Sequence, residues 1–198
     1  MRLALVTLGT ALLAGLTSCR PSAADSRSPV TGHRSPVIDS ILPLEEQLRR
    51  FRTGTPDSVT RLSGGAASRE ALLRRFREAV ERGDTVAMLS LAVTRAEFAW
   101  LVYPESEFTR EPYRQDPALV WFLMRNATDQ GLVRLLGRHG GRPFPWDGWR
   151  CEESPLRQGP NRLWRECRVR LAEGERRLFG TILEREGVYK FLTYATDY

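Results

Sequence analysis

The apolar positions of this chain change rhythm along its length. A nearly continuous apolar run from Leu3 to Leu16 gives way to a polar stretch, Arg20 to Ser40, interrupted by Pro21, Pro29 and Pro36. That composition reads as a linker. Ile41, Leu44, Leu48 and Phe51 then fall at helical spacing, with Glu45, Glu46, Arg49 and Arg50 between them, and Pro43 suits a first turn. The spacing predicts a short amphipathic helix over 41–52 that docks on its own domain, with partner binding as the alternative. Gly54, Pro56, Gly64 and Gly65 break the chain after it.

From Ser68 the helices are punctuated by their ends. Ser68 is placed to cap a helix carrying Leu72, Leu73, Phe76, Ala79 and Val80, and Gly83 to end it. Asp84 opens a short second helix. Thr94 and Glu97 have the spacing of a capping box, stapled by Val93 and Phe98, and Pro104 closes that helix. Asp116-Pro117 starts another, Thr128 a last one, and Gly140-Gly141 ends the helical half. Beyond it, 144–152, 163–171, 177–184 and 188–195 read as four strands of an antiparallel meander. The pattern predicts an α+β domain over 68–198, with N-terminal helices packed on a four-stranded C-terminal sheet.

The start of the chain carries a recognisable motif. Met1-Arg2 precedes an apolar stretch of 14 residues, too short to span a bilayer comfortably. Leu16-Thr17-Ser18-Cys19 follows and resembles the lipobox of bacterial lipoproteins. The resemblance implies a signal peptide over 1–18, a lipid-anchored tether over 19–67 and acyl chains, palmitate among them, at Cys19. Two or more chains make a stable membrane anchor. By resemblance to enterobacterial lipoprotein sorting, in which an Asp after the Cys implies inner-membrane retention, Arg20 implies the periplasmic face of the outer membrane. An ordinary secretory signal with a chance Cys, or an uncleaved N-terminal anchor, is the alternative.

Export accounts for the remaining thiols. With Cys19 lipidated, Cys151 and Cys167 form an even pair in an oxidising compartment. A hairpin turning at Gly159 pairs residues whose numbers sum to 318, and these two cysteines satisfy that sum. A disulfide is therefore expected.

The net charge is +6 over 198 residues, and Lys190 is the only lysine among 30 basic residues. The arginines are spread along the chain and interleaved with Glu, which predicts a solvated surface and no nucleic-acid partner. No Gly-rich phosphate loop, nucleophile elbow or metal-ligand spacing is present, so no cofactor or metal is expected.

"FREAVERGDTVAML" and "RLFGTILEREGVYKFLTYATDY" resemble the nuclear-transport-factor-2-like, or polyketide-cyclase-like, superfamily. "LAVTRAEFAWLVYP" and "GPNRLWRECRVR" resemble a family of bacterial lipoproteins with no known activity. The first resemblance implies a cone-like fold, in which a curved sheet closes round a cavity. Trp100, Tyr103, Trp121, Trp146 and Trp149 are the candidate pocket residues, with ordinary core packing as the alternative. Tyr103, Asp116, Asp147 and His139 are the nearest to a catalytic set. Asp116 reads better as a cap, Asp147 as a turn residue and His139 as a helix C-terminal donor. The expectation is an envelope lipoprotein whose domain binds a small apolar ligand or an envelope protein without catalysis. An anchored hydrolase, isomerase or cyclase is one alternative, and a structural or assembly factor another.

Overall fold

The computed structural model describes residues 42–194. The helices, in chain order, are α1 (Leu44–Arg52), α2 (Arg69–Arg82), α3 (Thr85–Ser90), α4 (Arg95–Glu97) and α5 (Pro117–His139). A π-helical turn, Phe98–Val102, continues α4, and two 3-10 turns follow at Tyr103–Glu105 and Glu107–Thr109. The strands are β1 (Gly148–Arg150), β2 (Leu156–Gln158), β3 (Asn161–Trp164), β4 (Arg168–Leu171), β5 (Gly174–Arg176), β6 (Ile182–Arg185) and β7 (Val188–Phe191).

The helix ends are made as their residues dictate. Ser68 accepts from the Ala71 amide, Asp84 from that of Ala87, and Asp116 from those of Ala118 and Leu119. Gly83 takes the left-handed conformation, with φ 64°, that lets α2 end. Thr94 and Glu97 form a complete capping box. One expected break is missing: Thr128 lies inside a continuous 23-residue α5. The reason is local, because Asn126 and Thr128 have other uses than capping. Asn126 accepts from Gln130 one turn on, and Thr128 is buried against the domain.

The β half also differs from the expected meander. There are two antiparallel sheets, a four-stranded one ordered β2-β3-β6-β7 and a three-stranded one ordered β1-β4-β5. The stretch expected as one strand over 163–171 is split at Glu166, whose φ of 47° is left-handed. Its two halves therefore enter different sheets. The hairpin is split with it. The inner ladder, β2 with β3, pairs Arg157 with Arg162, one out of the expected register. The outer ladder, β1 with β4, pairs Trp149 with Val169 and keeps the sum of 318. One step beyond Arg150 and Arg168, the last pair of that ladder, Cys151 and Cys167 form a disulfide.

Strand β6, inside the four-stranded sheet, is buried on both faces. Ile182 and Phe191 are register partners and belong to one core with α2, α3, the end of α5 and the three-stranded sheet. Leu183 and its partner Leu163 belong to a second core with α1, the π turn and Val120. Successive residues of β6 thus feed opposite cores, as strand alternation requires.

The packing takes in described residues ahead of 68. Leu48 and Phe51 of α1 and Leu62 are buried in the second core, and Ala66 pairs with Tyr189 at the edge of β7. The amphipathic helix therefore docks on the domain that follows it.

Candidate functional site

The π turn organises the second core. The capping box fixes its entry and Pro104 its exit. The Tyr103 amide reaches back five residues to the Phe98 carbonyl, so the next bond of the series, to the Ala99 carbonyl, would need an N–H on Pro104. That donor does not exist, and Arg52 of α1 fills the role through Nε and Nη2 at 3.3 and 3.1 Å. The Leu101 carbonyl is met by Asn161 Nδ2 at 2.8 Å. Asn161 itself accepts from Arg185 Nη1 at 3.2 Å. The turn is thereby tied to both α1 and the four-stranded sheet.

A buried ion pair lies beside it. Lys190 and Glu97 are 1% and 2% exposed at their side chains, with Nζ 2.8 Å from Oε2. Lys190 donates to both Glu97 oxygens and to the Ser63 carbonyl at 2.8 Å. Glu97 also accepts from the amides of Ser63, at 2.6 Å, and Thr94, at 2.8 Å. Burial pushes the Glu97 carboxyl up, but the bonds from Lys190, Ser63 and Thr94 outweigh it and hold the group below its ordinary value. Neither residue carries a local sequence mark of this pairing, although a lone lysine in an arginine-rich chain is a usable signal.

Two cavities lie along α5. One, of about 270 Å³, is lined by Leu89, Val93, Trp121, Met124 and Leu192, with Thr94, Arg95, Arg125 and Thr128 also in its wall. The other, of about 200 Å³, lies among Phe98 and Val102 of the π turn, Val120, Leu163 and the same Met124 and Leu192. Ser106, Glu107, Gln158, Arg165 and Thr181 are also in its wall. The two spaces share Met124 and Leu192 as a common wall.

The five aromatic candidates occupy four different settings. Trp121 lines the larger cavity and meets the Phe98 ring at 5.4 Å. Tyr103 is buried in the second core, and its hydroxyl donates to the Gln115 carbonyl. Trp100 lies in a shallow groove beside α1, with the Arg52 guanidinium 3.7 Å above its ring. Trp146 and Trp149 pack at the edge of the first core, Trp146 stacked on Phe76 at 6.0 Å and Trp149 beneath Arg69 at 5.3 Å. Arginines thus cover several of these indoles.

The candidate acid–base residues have structural partners. Asp116 caps α5. Desolvation, helped by the Asp116 charge, raises the Tyr103 phenol, which keeps it a donor. His139 is in the last turn of α5 with its ring 4.4 Å from that of Phe144, and burial lowers its pKa. Asp147 is exposed, with its amide on the Arg170 carbonyl at 3.0 Å. Among the described residues no group of three or more His, Cys, Asp or Glu side chains could hold a metal ion, and no helix is long and apolar enough to cross a membrane. Cys19 and the lipobox lie outside the described residues. Comparison with protein-family models, with curated proteins and with solved structures finds no match.

Proposed function

We infer that this protein is an envelope lipoprotein, anchored through Cys19, whose domain binds a small apolar ligand along α5 without catalysis. The observation that carries the binding reading is the pair of cavities meeting at Met124 and Leu192. Their walls are chiefly apolar, with a few polar groups to orient a guest, which is the usual build of a small-molecule site. In this reading the four-stranded sheet, the π turn and α5 play the part of the cone, and nucleic acid is not a partner. The binding mode needs no cofactor. The structural duties of Asp116, Tyr103 and His139 favour it over the enzyme reading, and the docked α1 favours it over an assembly factor using that helix. The periplasmic face of the outer membrane is the proposed location.

Two measurements test it. Intact-mass analysis of the protein from a bacterial envelope is expected to give a chain starting at Cys19 with acyl chains attached. A full-length chain with a bare Cys19 overturns the anchor. Titration with an environment-sensitive fluorescent fatty acid is expected to show saturable binding, weakened about tenfold or more by Met124→Trp, which fills the shared wall. Absence of saturable binding, or equal binding by the variant, overturns the cavity as the site.

A further inference from the structure

The outward face of α5 is apolar where nothing in the domain covers it. Leu119, Phe122 and Leu123 are 49%, 64% and 52% exposed, and Tyr113, in the loop before the helix, is 60% exposed. The first three fall at i, i+3 and i+4, one stripe of a helix. Asn126, Gln130 and the exposed Val133 continue the same stripe, so it runs without a charge. The opposite side of α5, with Val120, Gly131, Leu132 and Leu135, is the buried one. This helix is therefore apolar on two sides, and only one is used by the fold.

Where the chain enters the described unit says what meets the other side. The Leu42 carbonyl accepts from Arg114 Nη2 at 3.1 Å, two residues before the Asp116 cap of α5. Twenty-two residues (20–41) separate Leu42 from Cys19. A coil of that length spans roughly 25 Å. An anchor at Cys19 thus holds the N-terminal half of α5 near the bilayer, with Leu119–Leu123 only about 5–10 Å along the helix from the cap. At that effective concentration a weak contact suffices. A second copy fits less well, because these four side chains fall short of the roughly 800 Å² per partner that a stable complex buries.

We propose that the Leu119–Phe122–Leu123 face is a bilayer-docking surface, which seats the domain with α5 against the lipid. The proposal rests on the anchored reading and goes beyond it by fixing the domain's orientation. Its geometry is that of an interfacial helix, with Leu and aromatic side chains entering the headgroup boundary.

The test uses the full lipidated protein in vesicles of phosphatidylethanolamine and phosphatidylglycerol. An environment-sensitive fluorophore is placed at Asn126→Cys on the stripe or, as a control, at Val86→Cys on α3, which is 80% exposed. Lipids carrying a quencher are expected to dim the label at 126 about twofold or more beyond the label at 86. Leu119→Gln/Phe122→Gln/Leu123→Gln is expected to remove that difference while the protein still floats with the vesicles. Equal quenching at both positions in floating protein overturns the docking face and leaves the anchor standing. Protein that neither floats nor carries acyl chains overturns both. A 126–126 cross-link formed without vesicles and abolished by the triple substitution overturns the proposal in favour of self-association.

Discussion

Lys190 is the only lysine in a chain that uses arginine everywhere else, and its site explains the exception. Three acceptors, two on Glu97 and one on Ser63, converge on a single buried point. A compact ammonium with three donors matches them, whereas a planar guanidinium is larger and spreads its donors. Lys190→Arg is expected to lower stability by about 1–3 kcal/mol through overpacking. Lys190→Met leaves a buried carboxylate unpaired and is expected to cost about 3–5 kcal/mol, part of it recovered in Glu97→Gln/Lys190→Met. Denaturant unfolding of the three variants checks the order. The pair also sets an acid dependence. A carboxyl held below its ordinary 4.5 in the fold contributes fully above that value and loses its contribution as pH falls through the lower folded-state value. Thermal unfolding from pH 7 downwards is expected to show a steeper loss below 4.5 in the unvaried protein than in Glu97→Gln. Equal slopes would show that the pair is not the source. At this scale the capping residues were legible, because a cap acts within one turn. The ion pair was not, because its members lie 93 residues apart.

The elements show the same division between local and distant causes. Gly131 and Gly137 both lie in α5, and sequence alone treats them alike, as helix-weakening glycines. The structure separates them. A Cβ at Gly131 would fall on the Tyr194 carbonyl oxygen, where the C-terminal segment crosses the helix, while one at Gly137 would meet nothing. Gly137→Ala is therefore expected to stabilise by up to about 1 kcal/mol. Gly131→Ala is expected to destabilise despite the same propensity gain, since backbone atoms must move apart. Melting temperatures of the two variants check the opposite signs. The missing break at Thr128 has a similar origin, for a side chain with capping chemistry is also able to pack or to stay in solvent. In the β half, alternation revealed strand character, but Glu166 carries no sequence mark of a left-handed backbone. The expected long strand was for that reason read across the point where the chain changes sheets.

At the scale of the whole molecule, one covalent link closes off the three-stranded sheet at the point where the chain leaves it for the other sheet and returns. The Cys151–Cys167 disulfide extends the β1–β4 ladder just where the chain turns off into the β2–β3 hairpin of the other sheet. Its ends are 16 positions apart, and closing a loop of that size is worth about 3 kcal/mol in the unfolded chain. Cys151→Ser/Cys167→Ser is expected to lower stability by about 2–4 kcal/mol, with native circular dichroism retained. Full stability in the variant would show that the β1–β4 ladder holds without the link.

The sequence by itself determined the helix caps at Ser68, Gly83, Asp84, Thr94 and Asp116, the cysteine partners, the change from helical to strand rhythm and the lipobox resemblance. Each is carried by residues near one another along the chain, or by a register counted from one turn. Tertiary structure decided what lies on the two faces of the four-stranded sheet, which indoles pack beneath arginines, and which side of α5 is left uncovered. Those outcomes depend on residues tens of positions apart meeting in space, and a linear pattern that records only polarity does not encode which partner each apolar face finds.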